Sequence, residues 1–399
     1  MLDFATPPAT NMTVVSEKKH FDVAVVGAGV FGAWTAYQLQ RSGAQVALID
    51  AHGPGNSRSS SGDESRIIRM GYGADEIYTR SAVRSLARWK ELFAVSGEDL
   101  FFQTGVLWLA HQGDPYPTQT IETLQRVGVR CERFATDDLS RRYPQFDFEG
   151  ISWGLFEPDS GVILARRAVQ AVMREAIRRG VEYLQEAVLA PAGTETINRL
   201  VTAEGSEISA KAFVFACGPW LPKLFPRLLS ERIQPTRQEV FYFGPPAGDS
   251  QFHYSAMPTW VDFKEETYGL PDIDGRGIKI ALDRHGPLFD PDSGDRLATV
   301  EGLSGARDRL ARRLPALKDA PLLESRVCQY ENTSNGDFLI DRHPEFENVW
   351  LVGGGSGHGF KHGPAIGEYV ATRIQGNEAG VEPRFSLESK KQTRERAVY

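Results

Sequence analysis

Near the start of the chain, Gly27-Ala28-Gly29-Val30-Phe31-Gly32 follows directly on the short β-rich run Asp22–Val26. Glycines at that spacing between a strand and a helix let a pyrophosphate reach the backbone. Gly27 allows the tight turn, Gly29 the approach of phosphate, and Gly32 the close packing of helix on strand. Val30 and Phe31 lead into a helix predicted over Ala33–Gln40, whose N-terminal amides and positive dipole end face the anion. Asp50 closes the next strand, Gln45–Ile49, where a carboxylate accepts hydrogen bonds from a ribose diol. GxGxxG alone is a weak signal; the complete βαβ unit around it carries the reading.

Two later strands also end in glycine. Ala210–Cys217 runs into Gly218-Pro219-Trp220, and Val349–Val352 into Gly353-Gly354-Gly355-Ser356-Gly357. Glycine beyond a strand's carboxyl end marks close passage of backbone past a ligand. Three such approaches suit an extended cofactor buried along its length, which favours FAD over a reversibly bound nicotinamide. Pro364 opens the last helix, and a helix N-terminus beside the flavin's pyrimidine end stabilises the anionic reduced form. Other constellations fail. His358 and His362 are four apart, but Gly359 and a loop context deny them the helical face a metal pair needs, and no metal site is expected. Ser356 lacks the GxSxG frame of a nucleophile elbow.

The elements that must hold these residues follow from length and pattern. The chain has 399 residues, enough for two to three domains, with 41% hydrophobic and 24% charged residues. A net charge of −7 argues against a broad nucleic-acid footprint, and no apolar run approaches a membrane span. Three cysteines without CxxC spacing fit a reducing, cytoplasmic setting. Met1–Lys18 reads as a disordered leader, and the basic run Lys390–Arg396 as a solvated face.

A polar loop is expected over Gly53–Asp63, a helix over Ile77–Phe93, and a strand over Phe102–Leu109. Beyond residue 230 the pattern turns to strands at Arg237–Phe243, Thr267–Leu270 and Gly277–Leu282, with a helix at Arg307–Leu314. The fold class is α/β: a Rossmann-type FAD-binding domain built from discontinuous segments (20–95, 155–225 and 325–385). An α+β substrate domain dominated by an antiparallel sheet fills 96–154 and 226–324, with tails at 1–19 and 386–399.

Four strings together resemble the monomeric sarcosine oxidase family: Val26-Gly27-Ala28-Gly29, Ser65-Arg66-Ile67-Ile68-Arg69, Gly154-Leu155-Phe156-Glu157-Pro158-Asp159-Ser160-Gly161-Val162 and Gly355-Ser356-Gly357-His358-Gly359-Phe360-Lys361. That family, with the N-methyltryptophan and pipecolate oxidases, holds flavoprotein amine oxidases of the D-amino acid oxidase superfamily, and the likeness runs from about Phe21 to Ile374. It implies oxidation of an N-alkyl or cyclic secondary amino acid to an imine that hydrolyses, with O2 reduced to H2O2. Arg69 and Lys361 match the pair that holds the substrate carboxylate, as a bidentate fork and a point charge. Arg66 matches an arginine beside the flavin, and Tyr268 an active-site tyrosine. Lys279 matches the lysine that promotes reaction with oxygen; read from the residues alone, its apolar flanks suggest an inward lysine, and an edge-strand lysine is the alternative.

Cys328 matches the cysteine that tethers FAD by a thioether; from spacing alone it is a buried small apolar residue, as Cys131 and Cys217 are. The resemblance adds Ser61, Ser65, Val188 and Ala216 to the expected cofactor wall. It implies a small-molecule amine and O2 as partners and a monomer.

Two positions depart from the family. Ser59-Ser60-Ser61 and Asp283 stand where sarcosine-oxidising members carry histidines. Asp283 favours a larger or cationic amine, pairs with Arg284, or faces solvent; His285 partly substitutes for the missing histidine or has no role. Trp260 walls off a bigger side chain or is core. The rival functions are a flavin dehydrogenase with another electron acceptor, a nicotinamide dehydrogenase, a non-catalytic nucleotide-binding module, and an oxidase of a larger amine such as a glycated amino acid.

Overall fold

The computed structural model describes residues 20–193, 195–376 and 381–393. The Met1–Lys18 leader and the end of the basic tail, from Arg394 on, lie outside them. The leading strand is His20–Val26, and its partners explain why the nucleotide-binding half is scattered along the chain. Val46–Ile49 pairs parallel to one side of it and Glu207–Phe215 to the other. Glu182–Leu184 extends the sheet beyond Val46–Ile49, and Val349–Gly353 lies parallel beyond Glu207–Phe215. Leu339–Arg342 closes that edge antiparallel. Strands buried on both faces read as unbroken apolar runs, as Val46–Ile49 and Val349–Gly353 do.

The helices Val30–Arg41, Ala165–Arg178 and Gly363–Ile374 cover the sheet. The first is buried almost all round, so its hydrophobic stripe was hard to see; it starts at Val30, three residues before the expected Ala33. Gly27 has φ +104°, and a Cβ there would stand 2.4 Å from the Ala216 carbonyl oxygen. A Cβ on Gly32 would stand 1.8 Å from the Gly27 oxygen.

A second sheet of eight strands carries the other half: Leu322–Thr333, Ile233–Phe243, Ile278–Leu282, Thr267–Leu270, Thr259–Asp262, Val106–Ala110, Trp153–Glu157 and Glu132–Ala135, in that spatial order. All its pairings are antiparallel except that of Thr259–Asp262 with Val106–Ala110. The expected border at 325 falls inside Leu322–Thr333, whose length is paired with Ile233–Phe243. The strand expected at Phe102–Leu109 is two. Phe101–Phe102 joins a small sheet with Arg66–Ile68 and Gly161–Ile163, while Val106–Ala110 joins the large one. The break comes at Gly105, φ +68°, whose missing side chain leaves room for the Phe156 ring. Lys390 is not on a solvated face: it is 2% exposed, and its Nζ donates to Asn335 Oδ1 and the Arg384 carbonyl. Among the described residues no helix is long and apolar enough to cross a membrane.

Gly32→Ala forces a methyl into the Gly27 backbone. It is expected to cost roughly 1–3 kcal/mol in chemical denaturation and to lower the flavin content of purified protein. Stability and flavin content equal to the parent would show that this close packing is not required.

Candidate active site

Two cavities meet between the sheets. The larger, of about 420 Å³, follows the carboxyl ends of the parallel strands. Its wall includes Gly27, Gly29, Val30, Phe31, Asp50, Ser61, Arg66, Val188, Ala216, Gly218, Trp220, Gly357, Gly359 and Phe360 from the expected cofactor set. The smaller, of about 60 Å³, is lined by Ser65, Arg66, Arg69, Tyr268, Lys279, Asp283, Cys328, Tyr330, His358 and Lys361. Ser65, Cys328, His358 and Lys361 therefore sit on the second cavity and not the first, and Gly32 lines neither, being spent on packing. Arg66, Tyr330, Gly357 and Phe360 belong to both.

The glycine turn is shaped by side chains from a distance. Asp50 Oδ2 accepts from the Ala28 amide at 2.7 Å, and its Oδ1 from the His52 and Gly53 amides at 2.8 and 2.7 Å. Ser61 Oγ accepts from the Val30 amide at 3.1 Å, so the polar loop is clamped to the helix start. Cys217 also lines the larger cavity; burial, with Asp50 and Glu331 nearby, pushes its thiol far up, which leaves it unreactive.

At the junction lies a buried charge cluster. Asp63 receives Lys279 Nζ at 2.5 Å, the Arg66 guanidinium, and the Tyr242 hydroxyl at 3.0 Å. Lys279 Nζ also donates to the Ser65 carbonyl at 2.8 Å and is 1% exposed, so it is an inward lysine and not an edge one. Burial pushes the Asp63 carboxyl up, but the Lys279 and Arg66 charges prevail and hold it far below the usual range. Burial likewise brings Lys279 below its ordinary value in spite of Asp63. Two cations and one anion leave the cluster with one excess positive charge. Arg66 Nη2 donates to Cys328 Sγ at 3.2 Å, which sets a cation against a sulfur on the wall between the cavities.

The second cavity's other cations meet at Tyr72. The Arg69 guanidinium lies over the rings of Tyr72 and Trp108, 4.5 and 4.9 Å from their centroids. Lys361 Nζ donates to the Tyr72 hydroxyl at 2.9 Å and to the His358 carbonyl at 3.0 Å. The Tyr72 hydroxyl is also 2.7 Å from His362 Nε2 and 3.3 Å from His358 Nδ1. Glu157, fully buried, fixes the loop below: it accepts from the Met70 and Gly71 amides, the Trp108 indole and the Ser160 hydroxyl. Asp283 is half-buried and does not pair with Arg284. It accepts from the Tyr330 hydroxyl at 2.9 Å inside the cavity, and burial pushes its carboxyl up to about 7 against the pull of Tyr330, Arg69 and Lys361. Trp260 is 0% exposed within the second core, and His285 is exposed outside both cavities.

Asp63, Tyr72, Tyr242 and Glu331 were not singled out from the sequence. Asp63 closes a Gly/Ser-rich stretch that reads only as a polar loop; the one available signal is the inward Lys279, which needs a counter-charge.

The strand Leu322–Thr333 forms the partition. Cys328 and Tyr330 reach the second cavity, while Gln329 and Glu331 reach only the first.

A family model described as FAD dependent oxidoreductase matches residues 22–373. The monomeric sarcosine oxidase of Bacillus sp. (strain B-0618) is 32% identical over 366 residues, covering 88% of this chain and 91% of that one. N-methyl-L-tryptophan oxidase of Citrobacter koseri is 28% identical, covering 92% and 97%. Among solved structures, L-proline dehydrogenase from P. horikoshii superposes with a TM-score of 0.82 at 22% identity, over 94% of this chain and 100% of that one.

Asp63→Asn removes the anion between two buried cations and is expected to destabilise by about 3–5 kcal/mol. The depressed carboxyl stabilises the fold above the ordinary unfolded value of about 4 and loses that contribution as pH falls below it. Urea midpoints of the parent should drop below pH 4 more steeply than those of Asp63→Asn. Parallel curves would remove Asp63 from the charge balance.

Proposed function

The chain belongs to the DAO family of FAD-dependent oxidoreductases, and on that footing we propose that it is an oxidase of a compact N-alkyl or cyclic secondary amino acid. The observation that carries this reading is the pairing of cavities. A small, cation-lined one opens through Arg66, Tyr330, Gly357 and Phe360 onto a long glycine-lined one. The donor set fits FAD: three glycine-bearing strand ends, a helix start at Val30 and the polar wall of Asp50 and Ser61. When bound, the flavin supplies the redox step, accepting a hydride equivalent from the carbon next to nitrogen.

The chain's own residues bind and orient. Arg69 and Lys361 take the substrate carboxylate, with Tyr72 holding both in place. Tyr268, Tyr330 and Asp283 surround the amine, and Asp283, with its carboxyl raised towards neutrality, holds the proton the amine must give up before oxidation. Lys279 and Arg66, with their single excess positive charge, stabilise the anion that develops as oxygen is reduced. Cys328 is the thioether attachment point, presented by the wall strand beside the Arg66 guanidinium. An additional carboxylate in the cavity favours, as a second reading, an amine bearing a further hydrogen-bond donor, such as a glycated amino acid.

Peroxide release measured over sarcosine, N-methyl amino acids, pipecolate, proline and glycated amino acids identifies the amine; reduction of the flavin without peroxide would favour a dehydrogenase. Lys279→Met should leave anaerobic flavin reduction near the parental rate while oxygen consumption falls at least about tenfold; unchanged oxygen consumption removes Lys279 from that step. Acid-precipitated parent protein should stay yellow and Cys328→Ser protein should not. Colour retained by the variant refutes the tether.

A further inference from the structure

Glu331 is a buried carboxyl group for which the reaction above has no use. It is 7% exposed and lies on the wall of the larger cavity. Its Oε1 accepts from the Gly355 amide at 3.2 Å; its Oε2 has no hydrogen-bond partner. The carboxyl is wedged between two of the glycine turns: a Cβ on Gly353 would lie 3.3 Å from Oε2, and one on Gly218 3.6 Å. Asp50, the other acidic residue singled out on this wall, accepts from three backbone amides.

An unpaired buried polar atom costs on the order of 1–3 kcal/mol, so one that persists beside a cavity points to a partner inside it. Charge decides which kind. The occupant of this cavity carries a pyrophosphate and becomes more negative on reduction, which an ionised carboxylate would repel. Burial, opposed only by the Gly355 and Gly354 amides, pushes the Glu331 carboxyl up to about 7, so the neutral acid, which carries a donor, is within reach. Place decides which part of the occupant. The preceding residue, Tyr330, lines both cavities, and Gly355, which donates to Glu331, lies two positions before Gly357, which also lines both, so Glu331 stands beside the place where they meet.

We propose that Glu331 is a cofactor-contact residue that keeps a proton on Oε2 and donates it in a hydrogen bond to an acceptor on the flavin–ribityl half of FAD. The proposal rests on FAD binding alone and is independent of which amine is oxidised or which acceptor reoxidises the flavin.

The test is the infrared difference spectrum between oxidised and dithionite-reduced holoenzyme, recorded for the parent and Glu331→Gln. The parent should show a carboxylic-acid C=O stretch that shifts when the flavin is reduced, and Glu331→Gln should lack it. Because Gln retains an N–H donor, that variant should keep its full ratio of flavin to protein. Glu331→Leu, similar in size but without a donor, should fall below half of it. A parent without such a band, or a band that persists in Glu331→Gln, overturns the proposal whether or not the Leu variant folds. So does a folded Leu variant with full flavin content and an unshifted flavin spectrum. Chemical reduction separates this outcome from failure of the oxidase reading, which would show as no amine reducing the parent flavin.

Discussion

The Asp63 carboxylate is the constraint on which the two halves of the molecule agree. It sits in the loop that leaves the nucleotide-binding strands, yet it is bonded to Lys279 and Tyr242 of the eight-stranded sheet and to Arg66 of the small one. Buried charges are tolerated only when compensated, so this one group fixes where three sheets meet. It also sets the charge at the junction, because without it two cations would face the cofactor and with it only one excess charge does.

The same logic runs outward. Tyr72 gathers Arg69 and Lys361 from segments almost 300 positions apart, and Glu157 holds the loop beneath Arg69. The site is thus a set of cations, each fixed by a partner that arrives from a different element. Long-range partners are what place long, flexible side chains to within the tolerance that binding chemistry needs.

That geography decides what the sequence could disclose. The βαβ unit was legible because its signals are local: turn glycines, apolar strand runs and a terminal Asp all fall within one window. The strands Thr267–Leu270 and Val349–Gly353 stood out for similar reasons. The single strand expected at Phe102–Leu109 failed because Gly105 yields to Phe156, a residue fifty positions on. Lys390 read as solvated because nothing near it in the chain announces Asn335. Asp63, Tyr72 and Glu331 were missed for that reason too: each has an ordinary neighbourhood in the chain and acquires its role from contacts across the fold.

The strand that separates the cavities carries a consequence for how such a chain can change. Successive side chains of Leu322–Thr333 face opposite sides, in a ladder with Ile233–Phe243 that sets Cys328 against Gln238. Exchanging one side chain, Tyr330 excepted, alters one wall. Gaining or losing a residue just before Cys328 would turn the strand over, presenting Gln329 and Glu331 to the amine and withdrawing the thiol from it. Sequence drift at this wall is therefore free in letter but fixed in length, and lineages of this fold should differ here by substitution and not by insertion.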